Sequence, residues 1–290
     1  MEIDGAIADY TKAINLNPRY ANALLNRGIA YQIKGDYDRA IADYTKAIEI
    51  NPRYVAPYID RGIAYQAKGD GDRAVADFTR AIEIAPRVEA YKNRGNAYQA
   101  VGDLDRAIAD FAKAIEMNPN DADSYNNRGV AYKTKGESER AIADFSKTLD
   151  IDPRLSKTYY NRAGVYRAKG EIDRAIADYS AAIEIDPQYG NAYFGRGSAF
   201  EAKADHTHAI ADLSKAIEIT PQNADAFYDR GLAHRANGEI DKAISDYTHA
   251  IELNPRHAAA YNSRSKAFEA RGEFDRASAD HKKAVEIGLP

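Results

Sequence analysis

ANALLNRGIAYQIKGDYDRAIADYTKAIEINPRY, residues 21–54, is a unit that the chain repeats almost end to end. Its proline, Pro52, belongs to the series Pro18, Pro52, Pro86, Pro119, Pro153, Pro187, Pro221, Pro255 and Pro290. The steps are of 34 residues, apart from one of 33 into Pro119 and a last one of 35. A fixed period of this length is the mark of a repeat architecture. Within the unit, Gly35-Asp36 separates two segments of helical length, because glycine readily adopts the left-handed conformation that ends a helix. Leu24, Arg27-Gly28 and Tyr31 fall three and four apart and share one helical face; Ala40, Ile41, Tyr44, Ala47 and Ile48 do the same in the second segment. Asn51-Pro52 stops that second helix, since proline disfavours a helical residue before it.

Composition excludes several classes. Forty Lys+Arg against forty-four Asp+Glu give a net charge of −4, so no positive field draws nucleic acid or an anionic membrane. Mean hydropathy is −0.60, and no apolar run approaches the roughly 20 residues of a spanning helix. The acidic start, Met1-Glu2-Ile3-Asp4, lacks the order of a secretion signal, which sets the expectation of a soluble, cytoplasmic protein. Zero cysteines exclude disulfides, thiolate zinc sites and cysteine nucleophiles. An apolar content of 44% argues against a disordered chain.

The spacing Leu24-x-x-Arg27-Gly28-x-x-Tyr31, Ala40-x-x-x-Tyr44, Pro52 resembles the tetratricopeptide repeat (TPR), with Leu24 where that family often has Trp and Arg27 where it often has Leu. The resemblance covers the whole chain: a half repeat at 1–20, then eight units at 21–54, 55–87, 88–121, 122–155, 156–189, 190–223, 224–257 and 258–290. It implies an all-α fold, a right-handed superhelical solenoid of helix-turn-helix repeats with a concave inner groove. The second unit is one residue short between Pro86 and Tyr91, which predicts a tighter turn and a local change of curvature. In the last unit Ser265, Ser278 and His281 replace Gly, Ile and Tyr, as expected of a polar C-terminal cap. Ile7, Tyr10 and Ile14 keep the interior pattern without a partner helix. Residues 1–20 are therefore expected to belong to a longer array or to pack against another molecule.

Two sets recur in every unit: Arg27, Arg61, Arg94, Arg128, Arg162, Arg196, Arg230 and Arg264, and Asp43, Asp77, Asp110, Asp144, Asp178, Asp212, Asp246 and Asp280. Catalysis needs one local constellation, not one pair eight times over. The expectation is a ladder of Arg–Asp ion pairs between packed helices, setting register. His206-Thr207-His208 points its rings to different sides of a helix and has no third ligand, so no metal is expected. His234 and His281 stand where other units have Tyr or Phe, and are expected to be partly buried. Phosphate-binding, dinucleotide-binding, nucleophile-elbow and HExxH motifs are all absent. No enzyme activity, cofactor or metal is expected.

Function is then sought in first-helix positions that packing does not claim. Asn26, Asn93, Asn127 and Asn161 form a row broken by Asp60, Gly195, Asp229 and Ser263; each amide offers a donor and an acceptor, suited to an extended peptide backbone. This row resembles the asparagine ladder of some long TPR superhelices. TPR domains that grip a peptide's C-terminal carboxylate use Lys and Asn four apart, then Asn, then Lys and Arg four apart. Units three to five read Lys92 and Asn96, then Asn127, then Lys157 and Asn161, with Asn161 departing from Arg. The resemblance therefore implies a carboxylate pocket. Tyr160, Phe194 and Tyr228 occupy the inner position that Leu25 and Ile59 hold nearer the N-terminus, and supply aromatic contact area or ordinary packing.

The reading is a protein-interaction scaffold holding an extended peptide in its groove, centred on residues 92–161, with a protein or peptide ligand and no nucleic acid or membrane. The alternatives are a scaffold that self-assembles through residues 1–20 as a homo-oligomer, and the targeting domain of a larger enzyme.

Overall fold

The computed structural model describes residues 2–288, so Pro290, the last proline of the series, lies outside the described residues. Among the described residues there are seventeen helices and no strand. The chain divides into two compact units, Met1–Ile151 and Asp152–Pro290. The first holds α1 (Glu2–Leu16), α2 (Ala21–Ile33), α3 (Tyr37–Ile50), α4 (Val55–Ala67) and α5 (Gly71–Ile84). It continues with α6 (Val88–Ala100), α7 (Leu104–Met117), α8 (Ala122–Thr134) and α9 (Ser138–Ile151). The second holds α10 (Ser156–Ala168), α11 (Ile172–Ile185), α12 (Gly190–Ala202) and α13 (His206–Ile219). Its remaining helices are α14 (Ala224–Ala236), α15 (Ile240–Leu253), α16 (Ala258–Ala270) and α17 (Phe274–Ile287).

The turns follow from local chemistry. Gly35 sits at φ 77°, and the Asp36 N–H donates to the Tyr31 carbonyl at 2.9 Å, closing α2 in a Schellman motif. The Asp36 carboxylate then accepts the Arg39 N–H and caps α3. Ala204 takes the same left-handed conformation at φ 57° without being glycine. Between α3 and α4, Asn51 Oδ1 accepts the Arg53 N–H at 3.2 Å and shapes the proline turn. Ala85 cannot do this, and α5 passes to α6 through only Ala85, Pro86 and Arg87, where the sequence is one residue short.

Within each unit, every helix packs on its neighbours in sequence, and successive even-numbered helices also touch one another. Successive odd-numbered helices do not. The even helices therefore crowd together on the inside of a curve in each unit and form an inner wall. The core between the layers is built from alanines and, in six of the eight repeats, one ring: Ala40, Tyr44 and Ala47 are fully buried, as are Ala74, Phe78 and Ala81, and Leu213 takes the ring's place in the sixth. In five repeats the ring packs against a glycine of the preceding helix, so that a Cβ on Gly28 would stand 2.5 Å from Tyr44 Cε1 and one on Gly95 2.7 Å from Phe111 Cε1.

The expected Arg–Asp ladder is present in every repeat. Arg27 donates from Nε to Asp43 Oδ2 at 2.7 Å and from Nη2 to Oδ1 at 2.8 Å. The same fork recurs at the other seven pairs between 2.7 and 2.9 Å. The third guanidinium nitrogen has its own task. Arg27 Nη1 donates to Thr11 Oγ1 of α1 at 3.0 Å, Arg61 to Thr45, Arg94 to Thr79, Arg196 to Ser180, Arg230 to Ser214 and Arg264 to Thr248. One arginine thus fastens three helices, joining its own repeat to the preceding one. In four repeats tyrosines three before and four after the arginine flank it, as Tyr91 and Tyr98 flank Arg94 at 5.7 and 5.8 Å.

The final repeat departs from the others. Ser265 is buried at the glycine position and donates to the Ala277 carbonyl at 2.7 Å. His234 is buried as expected, but His281 is exposed, because α17 has no following helix packed over it among the described residues.

Candidate functional site

The inner wall of the first unit carries one residue of interest at the same turn of each even helix. The sixth residue is Asn26 on α2, Asp60 on α4, Asn93 on α6 and Asn127 on α8. Asn26 is exposed and the other three are half-buried. Asn127 Nδ2 donates to Asn96 Oδ1 at 3.0 Å, and its own Oδ1 accepts from Asn126 at 3.2 Å. Asn93 makes no hydrogen bond with any described residue, so both halves of its amide are available. Asn96 likewise keeps its amide donors free. Asn96 and Asn127 border a shallow cavity of about 340 Å³ between α6 and α8, lined also by Gln99, Ala100 and Val130, and Asn93 lies one turn before Asn96 on α6.

Lys92 is placed differently from a carboxylate-gripping lysine. Its ammonium lies 3.0 Å from Asp123 Oδ2 and 3.4 Å from Asp121 Oδ1, and Asp121 also caps α8. Burial opposes its charge, but the two aspartates outweigh it and push the pKa up. The charge is therefore already balanced within the protein. Lys157, exposed, and Asn161, half-buried, belong to the second unit.

Asp60 stands apart in the row. The ninth residue of the preceding even helix is apolar here, Ile29, where Asn96 serves Asn127. Asp60 consequently has no hydrogen bond or ion pair among the described residues. Burial, reinforced by the Glu89 carboxylate, pushes its carboxyl up to about 6. A folded carboxyl raised above its unfolded value binds extra protons in the native state, so its contribution favours folding as pH falls from 7 towards 4. Asp60→Asn should raise stability at pH 7 by roughly 1–2 kcal/mol, kept modest because solvent still reaches the group. The variant should also flatten the pH dependence of urea melting between pH 4 and 7. A steeper dependence in the variant would contradict this.

In the second unit the sixth positions are Asn161, Gly195, Asp229 and Ser263. Asp229 is also raised, mainly by burial, and Ser198 Oγ relieves it in part by donating at 3.1 Å. The three aromatic candidates are half-buried and packed. Tyr160 lies 5.8 Å from the Tyr179 ring and 5.2 Å from that of Tyr189; Tyr228 lies 4.8 Å from His257. Phe194 packs on Ala209, Leu213 and Ala233. Their rings chiefly seal the wall between neighbouring helices.

No group of three potential metal-ligating side chains exists among the described residues. His206 instead meets Glu201 and His208 meets Asp205, both at 2.8 Å. Among the described residues, no helix is long and apolar enough to cross a membrane.

Family models agree with this geometry across the chain. A model described as "Tetratricopeptide repeat" matches residues 21–54, 88–121 and 224–257, and one described as "TPR repeat" matches 2–34, 164–203 and 205–238. Two further tetratricopeptide-repeat models match 111–143 and 56–87. The chain belongs to the tetratricopeptide-repeat family. No curated protein matches it. Among solved structures, this TPR protein is similar to MamA, at 33% identity and a TM-score of 0.53, covering 55% of this chain and 93% of that one. It is also similar to YrrB, described as a TPR protein with an unusual peptide-binding site, at 26% identity and a TM-score of 0.55, covering 61% and 92%. A tetratricopeptide repeat protein from Parabacteroides merdae shares the fold at 21% identity and a TM-score of 0.62, covering 81% and 93%.

Proposed function

We propose that this TPR protein is a binding scaffold whose first unit holds an extended peptide along its inner wall, recognising the peptide main chain through side-chain amides. The observation that supports this reading most is Asn93, a half-buried amide on the inner wall with both donor and acceptor free, beside the Asn96–Asn127 pair and its open cavity. An extended strand presents an N–H and a C=O at regular spacing, and an amide answers both without regard to sequence. The likeness to YrrB supports peptides as the ligand class. The recurrent Arg and Asp side chains are engaged in packing, which favours binding over catalysis.

A carboxylate clamp is the less favoured chemistry, because Asp121 and Asp123 already neutralise Lys92. The test is a peptide-library screen on the intact protein, with hits remeasured on an Asn93→Ala/Asn127→Ala variant. Affinity should fall at least tenfold, and amidating a hit's C-terminus should change it less than threefold. Hits that bind the variant equally well would remove the inner wall as the site. Loss of binding on amidation would restore the clamp.

A further inference from the structure

The first helix carries a face whose equivalents are buried in the repeats that follow, His281 of the last one apart. Ala6, Asp9, Tyr10 and Ala13 of α1 are the 34-residue equivalents of Ala40, Asp43, Tyr44 and Ala47 of α3. In α3 these four are buried, because α2 lies across them; α1 buries no residue at all. The neighbouring helix tells the same story. Ile29 and Ile33 of α2 remain 36% and 66% exposed, whereas Ile63 of α4, the equivalent of Ile29, is partly buried against the core. Between α1 and α2 lies an open groove of about 300 Å³, walled by Ile3, Ala6 and Tyr10 on one side and by Ile29, Ala30 and Ile33 on the other. This is the seat that α2 itself fills on α3 and α4.

Charge points to the occupant. In all eight repeats the aspartate equivalent to Asp9 receives a two-pronged arginine, and it is buried in each. The Asp9 carboxylate is 77% exposed and has only Lys12, one turn on along its own helix, at 3.2 Å. Its outer edge is thus open to a guanidinium. The Tyr10 ring needs a residue without a side chain opposite it, as Tyr44 needs Gly28.

We propose that the α1–α2 face is a docking seat for an amphipathic partner helix bearing an Arg-Gly pair, with Arg gripping Asp9 and Gly lying against Tyr10. An aliphatic or aromatic residue two before the Arg and an aromatic three after the Gly would fill the groove, as Leu25 and Tyr31 pack with Ala40, Tyr44 and Ala64. Asn26, the first residue of the amide row, lies on the rim of this groove, but the Asn93, Asn96 and Asn127 amides that carry the peptide reading belong to α6 and α8, so the two readings are tested by different variants.

The probe is a synthetic peptide of residues 20–36, held helical by a lactam on its solvent face and followed by fluorescence anisotropy with the full chain. It should bind saturably, and Asp9→Asn should weaken it at least tenfold. An Arg27→Gln change in the peptide alone should do the same. Asn93→Ala/Asn127→Ala in the protein should leave it unchanged. Asp9 is exposed, so its substitution leaves folding intact. Absence of binding, or equal binding by Asp9→Asn, would overturn the proposal. So would concentration-dependent self-association that Asp9→Asn abolishes in sedimentation, since the occupant would then be a second copy.

Discussion

Arg94→Leu should lower stability by about 3–5 kcal/mol, with the loss concentrated in α6 and α7. The substitution removes the fork on Asp110, which is only 6% exposed, and leaves a buried carboxylate without its counter-charge. It also frees Thr79 Oγ1 of the preceding repeat, so protection should fall on both sides of the helix boundary. Repeat stacks are stabilised by nearest neighbours, and the effect should fade within two repeats. Native-state hydrogen exchange reads this directly: amides of α6 and α7 should lose protection while those of α2 and α3 keep theirs. Arg94→Leu/Asp110→Leu should recover much of the loss, because an apolar pair of similar volume carries no buried charge. Unchanged melting for the single variant, or a double variant as unstable as the single, would show that the ladder does not hold the repeats in register.

Gly195→Asn should cost about 2–3 kcal/mol, although asparagine is the commonest residue at that turn of the other even helices. The cause lies in the repeat before. Ala163 stands where most repeats have the glycine that receives the ring, and Tyr179 lies against Gly195 of α12. A Cβ at Gly195 would stand 2.6 Å from both Cε1 and Cζ of Tyr179. The glycine is therefore the complement of the alanine. Ala163→Gly/Gly195→Asn should regain most of the lost stability, since Tyr179 could then lie on residue 163 as Tyr44 lies on Gly28. Urea melting of the two singles and the double forms the cycle; additive losses would remove the coupling.

Much of this was legible in the primary structure. Nine prolines in register, the Gly-Asp pairs and the Ala-x-x-x-Tyr pattern are short-range signals, each acting on backbone within one turn of itself. The paired Arg and Asp sets announced a ladder by recurring together. The role of Thr11, Thr45 and their equivalents escaped notice, although the signal was there: a hydroxyl lies 15 or 16 residues before nearly every ladder arginine. The site was less legible. Lys92 and Asn96 carry the right side chains at the right spacing, but Asp121 and Asp123 reach Lys92 from the next repeat. The availability of a charge depends on neighbours that spacing along one helix does not reveal.

The amino-acid order alone fixed the helices, their boundaries and their pairing, because caps, breakers and apolar stripes act over a few residues and recur with the period. Tertiary structure alone decided which polar groups remain free. Asn93 keeps its amide, Asp60 is left without a partner opposite Ile29, and Asp9 stays exposed with only Lys12 of its own helix beside it. Each outcome depends on what an adjacent helix places within about 3 Å, the range over which a hydrogen bond is made or missed.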